Sequence, residues 1–144
     1  MELNELYQEL ILDHNARPHN FGELKDANHR AHGVNPLCGD ELCVALKLDA
    51  QGVIADVAFT GHGCAISKAS ASIMTDCVKG VTQQQAEALF GEFHTMLTGT
   101  GETVHPKLQA FAGVREFPVR VKCATLAWHT LKAALQDEGD VTTE

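Results

Sequence analysis

Two periods of apolar and polar residues run along this chain, and the switches between them divide it into elements. Leu3, Leu6, Tyr7, Leu10 and Ile11 recur at helical spacing with Glu2, Glu5, Gln8 and Glu9 between them, which predicts an amphipathic helix ending near His14. Asn15 to Gly22 is rich in turn formers and predicts a link. From about Ala31 the period becomes two. Leu42, Val44, Leu46 and Leu48 alternate with Cys43, Ala45 and Lys47; beyond Asp49–Gly52, Val53, Ala55, Val57 and Phe59 alternate with Ile54, Asp56 and Ala58. Two such runs around a short Gly-containing turn predict a β-hairpin, and a shorter strand over 31–34 would complete a small antiparallel sheet.

The helical period returns at Cys64 and runs to Gly80, with Ala and Ser at positions that would let this helix pack closely on the sheet. Thr82 is the expected N-cap of a helix from Gln83 to about Leu97, broken by Thr98–Gly101. Pro106 to Ala112 predicts a short helical piece, and Pro118 precedes a last helix through Leu126, Trp128, Leu131, Ala134 and Leu135. Residues 136–144 are acidic and polar and predict a disordered tail. The pattern predicts an α+β fold of two layers, with helices covering one face of the sheet, in a single domain over 1–144.

Composition narrows the partners. A chain of 144 residues is the size of one domain with a real core. The net charge of −8 argues against nucleic acid and anionic membranes, which need clustered Lys and Arg. It leaves room for a partner protein with a basic mouth. No apolar run is long enough to span a bilayer, and the acidic start lacks the basic and apolar regions of a signal peptide, so the expected location is cytoplasmic.

Five cysteines stand at 38, 43, 64, 77 and 123. The odd count and the cytoplasmic reading disfavour a disulfide framework, and the absence of a CxxC pair excludes a zinc ribbon or a thioredoxin-type motif. Asn35-Pro36-Leu37-Cys38-Gly39-Asp40 puts a thiol and a carboxylate two residues apart on a turn, a soft donor beside a hard one. Cys64 and Cys123 are the candidates for the other half of a metal site. Both are expected where a helix begins, where the dipole would lower a thiol pKa. The alternative for each is a buried thiol acting as a small hydrophobe, which is the expected role of Cys43 and Cys77. His62 is either a ligand, a group behind the ligands or a polar loop side chain, and the other histidines show no paired spacing.

Several motifs together resemble one family. Asn35–Asp40, Gly63-Cys64-Ala65-Ile66-Ser67 with Ser70-Ala71-Ser72, and Arg120-Val121-Lys122-Cys123-Ala124-Thr125-Leu126 are similar to the IscU/NifU-like superfamily of iron–sulfur assembly proteins. Asp13-His14 followed by Arg17-Pro18-His19-Asn20-Phe21-Gly22 resembles its N-terminal loop. The closest branch is SufU. Lys122 stands where the scaffold branch has a histidine, Phe117–Val121 replaces its Leu-Pro-Pro-Val-Lys segment, and the stretch from about Glu92 to Glu116 resembles a SufU-type insertion.

The resemblance implies a three-stranded antiparallel sheet with helices on one side, and zinc held by Cys38, Asp40, Cys64 and Cys123. It implies a sulfur carrier that takes persulfide sulfur from a SufS-type cysteine desulfurase and hands it to downstream iron–sulfur assembly proteins. Cys38 is the expected acceptor, with Arg120 assisting at the docking surface. The alternatives are a scaffold that assembles a [2Fe–2S] cluster on the same ligands, and a structural zinc adaptor.

Overall fold

A computed structural model describes residues 3–99 and 105–143, with side chains from Tyr7 onward. Helix α1 (Leu3–Ala16) leads through the predicted link to strands β1 (His29–Asn35), β2 (Asp40–Leu48) and β3 (Ile54–His62). Helices α2 (Ala65–Val78), α3 (Gln83–Thr98), α4 (Pro106–Gln109) and α5 (Pro118–Leu135) follow, with a 3-10 turn over Ala112–Glu116. The short helix expected over 106–112 thus divides into α4 and that turn. Residues 100–104, inside the expected SufU-type insertion, lie outside the described residues.

The sheet differs from the expected three antiparallel strands. It has four, in the order β3-β2-β1-β4, and the fourth, Asp140–Thr142, pairs parallel to β1. This strand comes from the stretch whose composition predicted a disordered tail. Asp137 and Gly139, both at positive φ, reverse the chain after α5. The His32 amide then donates to the Gly139 carbonyl at 2.7 Å and the Thr143 amide to the Val34 carbonyl at 3.1 Å. Main-chain pairing on the open edge of β1, with Val141 packed against the core, holds a segment too polar to announce itself as a strand.

Alternation on β2 buries Asp40, Leu42, Val44 and Leu46 and turns Glu41, Cys43 and Lys47 outward. Cys43 is therefore exposed, not a buried small hydrophobe. The inward face meets α2 and α5, whose Ile73, Met74, Leu126 and Trp128 are fully buried. Trp128 lies against Phe93, with ring centroids 5.4 Å apart. Small residues set the close approaches. The Ser70 hydroxyl on α2 donates to the Ala124 carbonyl of α5 at 2.5 Å, and at Gly33 on β1 any Cβ would overlap the Thr130 hydroxyl of α5. α3 starts with a full capping box, in which Thr82 and Gln85 each bond the other's backbone amide. These contacts fix the tip of the β1–β2 hairpin beside the starts of α2 and α5.

Candidate metal centre

The four-residue hairpin tip between β1 and β2 carries Cys38. Asn35 and Asp40 pair across its base, the Cys38 amide donates to the Asn35 carbonyl at 3.2 Å, and Gly39 takes φ 70°, a conformation glycine adopts without strain. Cys38 is half-buried beside the exposed Leu37. Cys64 is the N-cap of α2, its sulfur accepting the Ser67 amide at 3.5 Å. Cys123 differs from expectation. α5 begins at Pro118, so Cys123 lies in the second turn, fully buried, with its thiol directed at the Val119 carbonyl 3.6 Å away. It is beyond the reach of the helix N-terminus. Burial, together with hydrogen bonds to Cys38, Asp40 and Cys64, pushes its pKa up rather than down.

The fold brings all four predicted residues together. Cys38 and Cys123 sulfurs are 3.1 Å apart, and Cys38, Asp40 and Cys123 present donor atoms within 4.8 Å of one another. The Cys64 sulfur lies 4.0 Å from Asp40 Oδ2. Asp40 is 2% exposed, and its other oxygen, Oδ1, accepts the Cys64 backbone amide at 2.8 Å. That bond fastens the hairpin to the start of α2. Gly63 makes it fit, since a Cβ there would stand 2.5 Å from Asp40 Oδ1. Asn35 was not a sequence candidate. Its Nδ2 bridges Asp40 Oδ2 at 3.3 Å and Cys123 Sγ at 3.5 Å, while its buried Oδ1 has no hydrogen-bond partner. No local pattern marked it, because its role rests on distances to Asp40 and Cys123 that only the fold sets.

Arg120, exposed on the first turn of α5, sits beside the cluster. The charge of Cys64, then that of Cys123, raises its pKa, with hydrogen bonds to both sulfurs adding to the effect. His62 does not join the cluster. Its Nε2 lies 3.4 Å from Glu41 Oε2 across the β2–β3 pair, and its side chain is exposed. Cys77 is buried on α2, with its thiol pushed up to about 12, chiefly by burial.

Three thiols and a carboxylate, drawn from a hairpin tip and two helices, make a donor set of the kind that binds a thiophilic ion. Zn–S bonds near 2.3 Å imply sulfur–sulfur edges of about 3.8 Å, so the Cys38 and Cys123 sulfurs, 3.1 Å apart, would move slightly apart around an ion. The sequence profile of the NifU-like N-terminal domain matches residues 6–140. The chain belongs to the NifU-like N-terminal domain family. It is 42% identical over 138 residues to the iron–sulfur cluster assembly scaffold protein IscU of Streptococcus pyogenes serotype M1, covering 94% of this chain and 86% of that protein. It is 38% identical over 141 residues to the zinc-dependent sulfurtransferase SufU of Bacillus subtilis strain 168, covering 95% of each. The solved structure of FiSufU from Fervidobacterium islandicum AW-1, described as an iron–sulfur cluster assembly scaffold protein for the SUF system, superimposes with a TM-score of 0.81 at 34% identity, over 93% of this chain and 99% of that one. Among the described residues no helix is long and apolar enough to cross a membrane.

Proposed function

We propose that this member of the iron–sulfur assembly family is a zinc-dependent sulfur carrier, with Cys38, Asp40, Cys64 and Cys123 as the metal ligands and Cys38 as the sulfur acceptor. The observation that carries the reading is the unequal anchoring of the three thiols. Cys123 is buried inside α5 and Cys64 caps α2, whereas Cys38 rides a half-exposed hairpin tip whose movement would unpack little.

Zinc, when bound, supplies a fixed positive charge that favours deprotonated thiols and ties the hairpin tip to α2 and α5. The chain's own residues do the rest. Asn35 and the Cys64 amide orient the Asp40 carboxylate, and Arg120 adds positive charge beside the sulfurs. A cysteine desulfurase of the SufS type offers a cysteine persulfide. Cys38, once swung out on the tip, attacks the outer sulfur of that persulfide as a thiolate. A new S–S bond forms on Cys38, the partner's S–S bond breaks, and the partner's cysteine leaves as thiolate, so the sulfur moves without net oxidation. Arg120 is placed to pair with a carboxylate at the rim of the partner. The exposed Leu37, Phe117 and Val119 give that surface an apolar component. The charged sulfur is then passed to downstream assembly proteins.

The name of the Streptococcus relative and the description of FiSufU favour the scaffold alternative, in which a [2Fe–2S] cluster is assembled as cargo on the same thiols. Lys122 beside Cys123, and the name of the Bacillus relative, favour the carrier. Elemental analysis of purified protein with a desulfurase turnover assay separates the two. The carrier reading expects colourless protein with one equivalent of zinc at the cysteine site that raises desulfurase turnover. Brown, iron-loaded protein that leaves turnover unchanged supports the scaffold.

A further inference from the structure

The sequence motif Asp13-His14…Arg17-Pro18-His19-Asn20 finds no use in the sulfur site, and the fold shows where it goes. α1 and the link after it lie along α2, bringing His14 and His19 to Asp76, twelve residues and about 18 Å along the helix from Cys64. One donor atom from each of His14, His19 and Asp76 lies within 4.8 Å of the others. The motif holds two of the three, and Asp76, some sixty positions further on, joins them only through helix packing.

The three side chains are held from behind. His14 is 2% exposed, and its Nδ1 lies 2.6 Å from the Ser72 hydroxyl, which also accepts the His19 amide at 2.7 Å. With two lone pairs, that oxygen can accept the His14 Nδ1–H as well, leaving the other ring nitrogen as a lone-pair donor. Burial, then the nearby His19 and Lys107 charges, lower the His14 pKa and keep the ring neutral, the form that binds metal. His19 Nδ1 lies 2.6 Å from Asp76 Oδ2, and Asn20 Nδ2 reaches Asp76 Oδ1 at 3.4 Å. Lys107 Nζ is 3.2 Å from Asp76 Oδ2 and supplies the positive charge that faces this carboxylate.

We propose that His14, His19 and Asp76 form a second metal site, for a borderline divalent transition ion such as zinc, independent of the cysteine cluster. Two imidazoles and one carboxylate with a hydroxyl behind them are a donor set that suits zinc, cobalt or nickel and not the hard oxygen-seeking ions. Binding replaces the His19–Asp76 hydrogen bond and displaces the Lys107 ammonium from the carboxylate. The ion would clamp the end of α1 to the last turn of α2.

The test uses the full chain equilibrated with zinc, counted by native mass spectrometry, with the histidine ring nitrogens followed by NMR. Wild type should carry one zinc more than His19→Ala and Asp76→Asn, both at surface-accessible positions. Addition of that equivalent should shift the His14 and His19 ring signals and leave His129 unmoved. Lys107→Gln should tighten it by about two- to fivefold, the effect of removing one partly solvated competing cation. Equal zinc content in wild type and both variants, or weaker binding in Lys107→Gln, would overturn the proposal. The count difference concerns His19 and Asp76 alone, so the outcome does not depend on what the cysteine cluster holds.

Discussion

Gly63→Ala should damage the cysteine site without removing any of its donors. The new methyl would sit 2.5 Å from Asp40 Oδ1, 3.0 Å from its carboxyl carbon and 3.1 Å from its Cβ. Ordinary contact needs about 3.4 Å or more, so the carboxylate must withdraw by nearly an ångström. That movement breaks the 2.8 Å bond from the Cys64 amide to a buried carboxylate oxygen. Such bonds contribute roughly 1.5–3 kcal/mol, and the Cys64 amide would be left without its partner. For a chain of this size about 2 kcal/mol corresponds to a fall of roughly 6–8 °C in Tm. Gly91→Ala is the matched control. Gly91 lies inside α3 with open space where its Cβ would go, so alanine there should stabilise by about 0.5–1 kcal/mol. Thermal unfolding followed by circular dichroism reads both signs in one experiment, and metal release to a chromogenic chelator should be faster for Gly63→Ala than for wild type. A Gly63→Ala protein that melts with or above wild type and releases metal no faster would refute the reasoning that Asp40 is held by close approach to this glycine.

Two further outcomes follow from burial. On brief treatment with iodoacetamide, Cys43, outward on β2, should be modified first, while Cys77, buried with its thiol pushed up to about 12, should stay unmodified until the protein unfolds; peptide mass spectrometry checks the order. Stability should also fall in mild acid. Burial above all lowers the His14 and His129 pKa values, so the unfolded chain takes up protons below about pH 6.5 that the folded chain refuses. Their contribution is complete above pH 6.5 and declines as the pH falls through the window below it, and urea midpoints at pH 7.5, 6.5 and 5.5 should decrease in that order. Asp76 extends the loss to lower pH. Burial would raise its carboxyl, but hydrogen bonds from His19 and Lys107 outweigh it and hold it below its ordinary 3.8. A urea midpoint that rises on acidification would contradict these assignments.

The periodic elements were legible in the sequence because each carries enough apolar residues to show its period. The β2–β3 hairpin, α2, α3 with its Thr82 cap, and α5 through Leu126 to Leu135 lie where the pattern predicts. β4 was not legible, since only Val141 packs inward and main-chain bonds to an open edge leave no trace in side-chain pattern. The four members of the cysteine cluster were legible as residues, but the setting of Cys123 was not. Pro118 as the first residue of α5 moves it past the helix start, and burial then reverses the expected sign of its pKa shift. The roles of Gly63 and Asn35 depend on tertiary distance to Asp40, which no local spacing reports. The meeting of His14, His19 and Asp76 depends likewise on how α1 lies on α2.

The central claim is that Cys38 alone accepts sulfur, and it is tested most directly by locating the sulfur. The protein is incubated with a SufS-type desulfurase and L-cysteine, persulfides are trapped by alkylation, and the added sulfur is mapped by peptide mass spectrometry. The account predicts sulfur on Cys38, transfer lost in Cys38→Ser, and transfer retained in Cys43→Ser and Cys77→Ala. Sulfur found mainly on Cys64, Cys77 or Cys123, or undiminished transfer by a zinc-loaded Cys38→Ser protein, would contradict it.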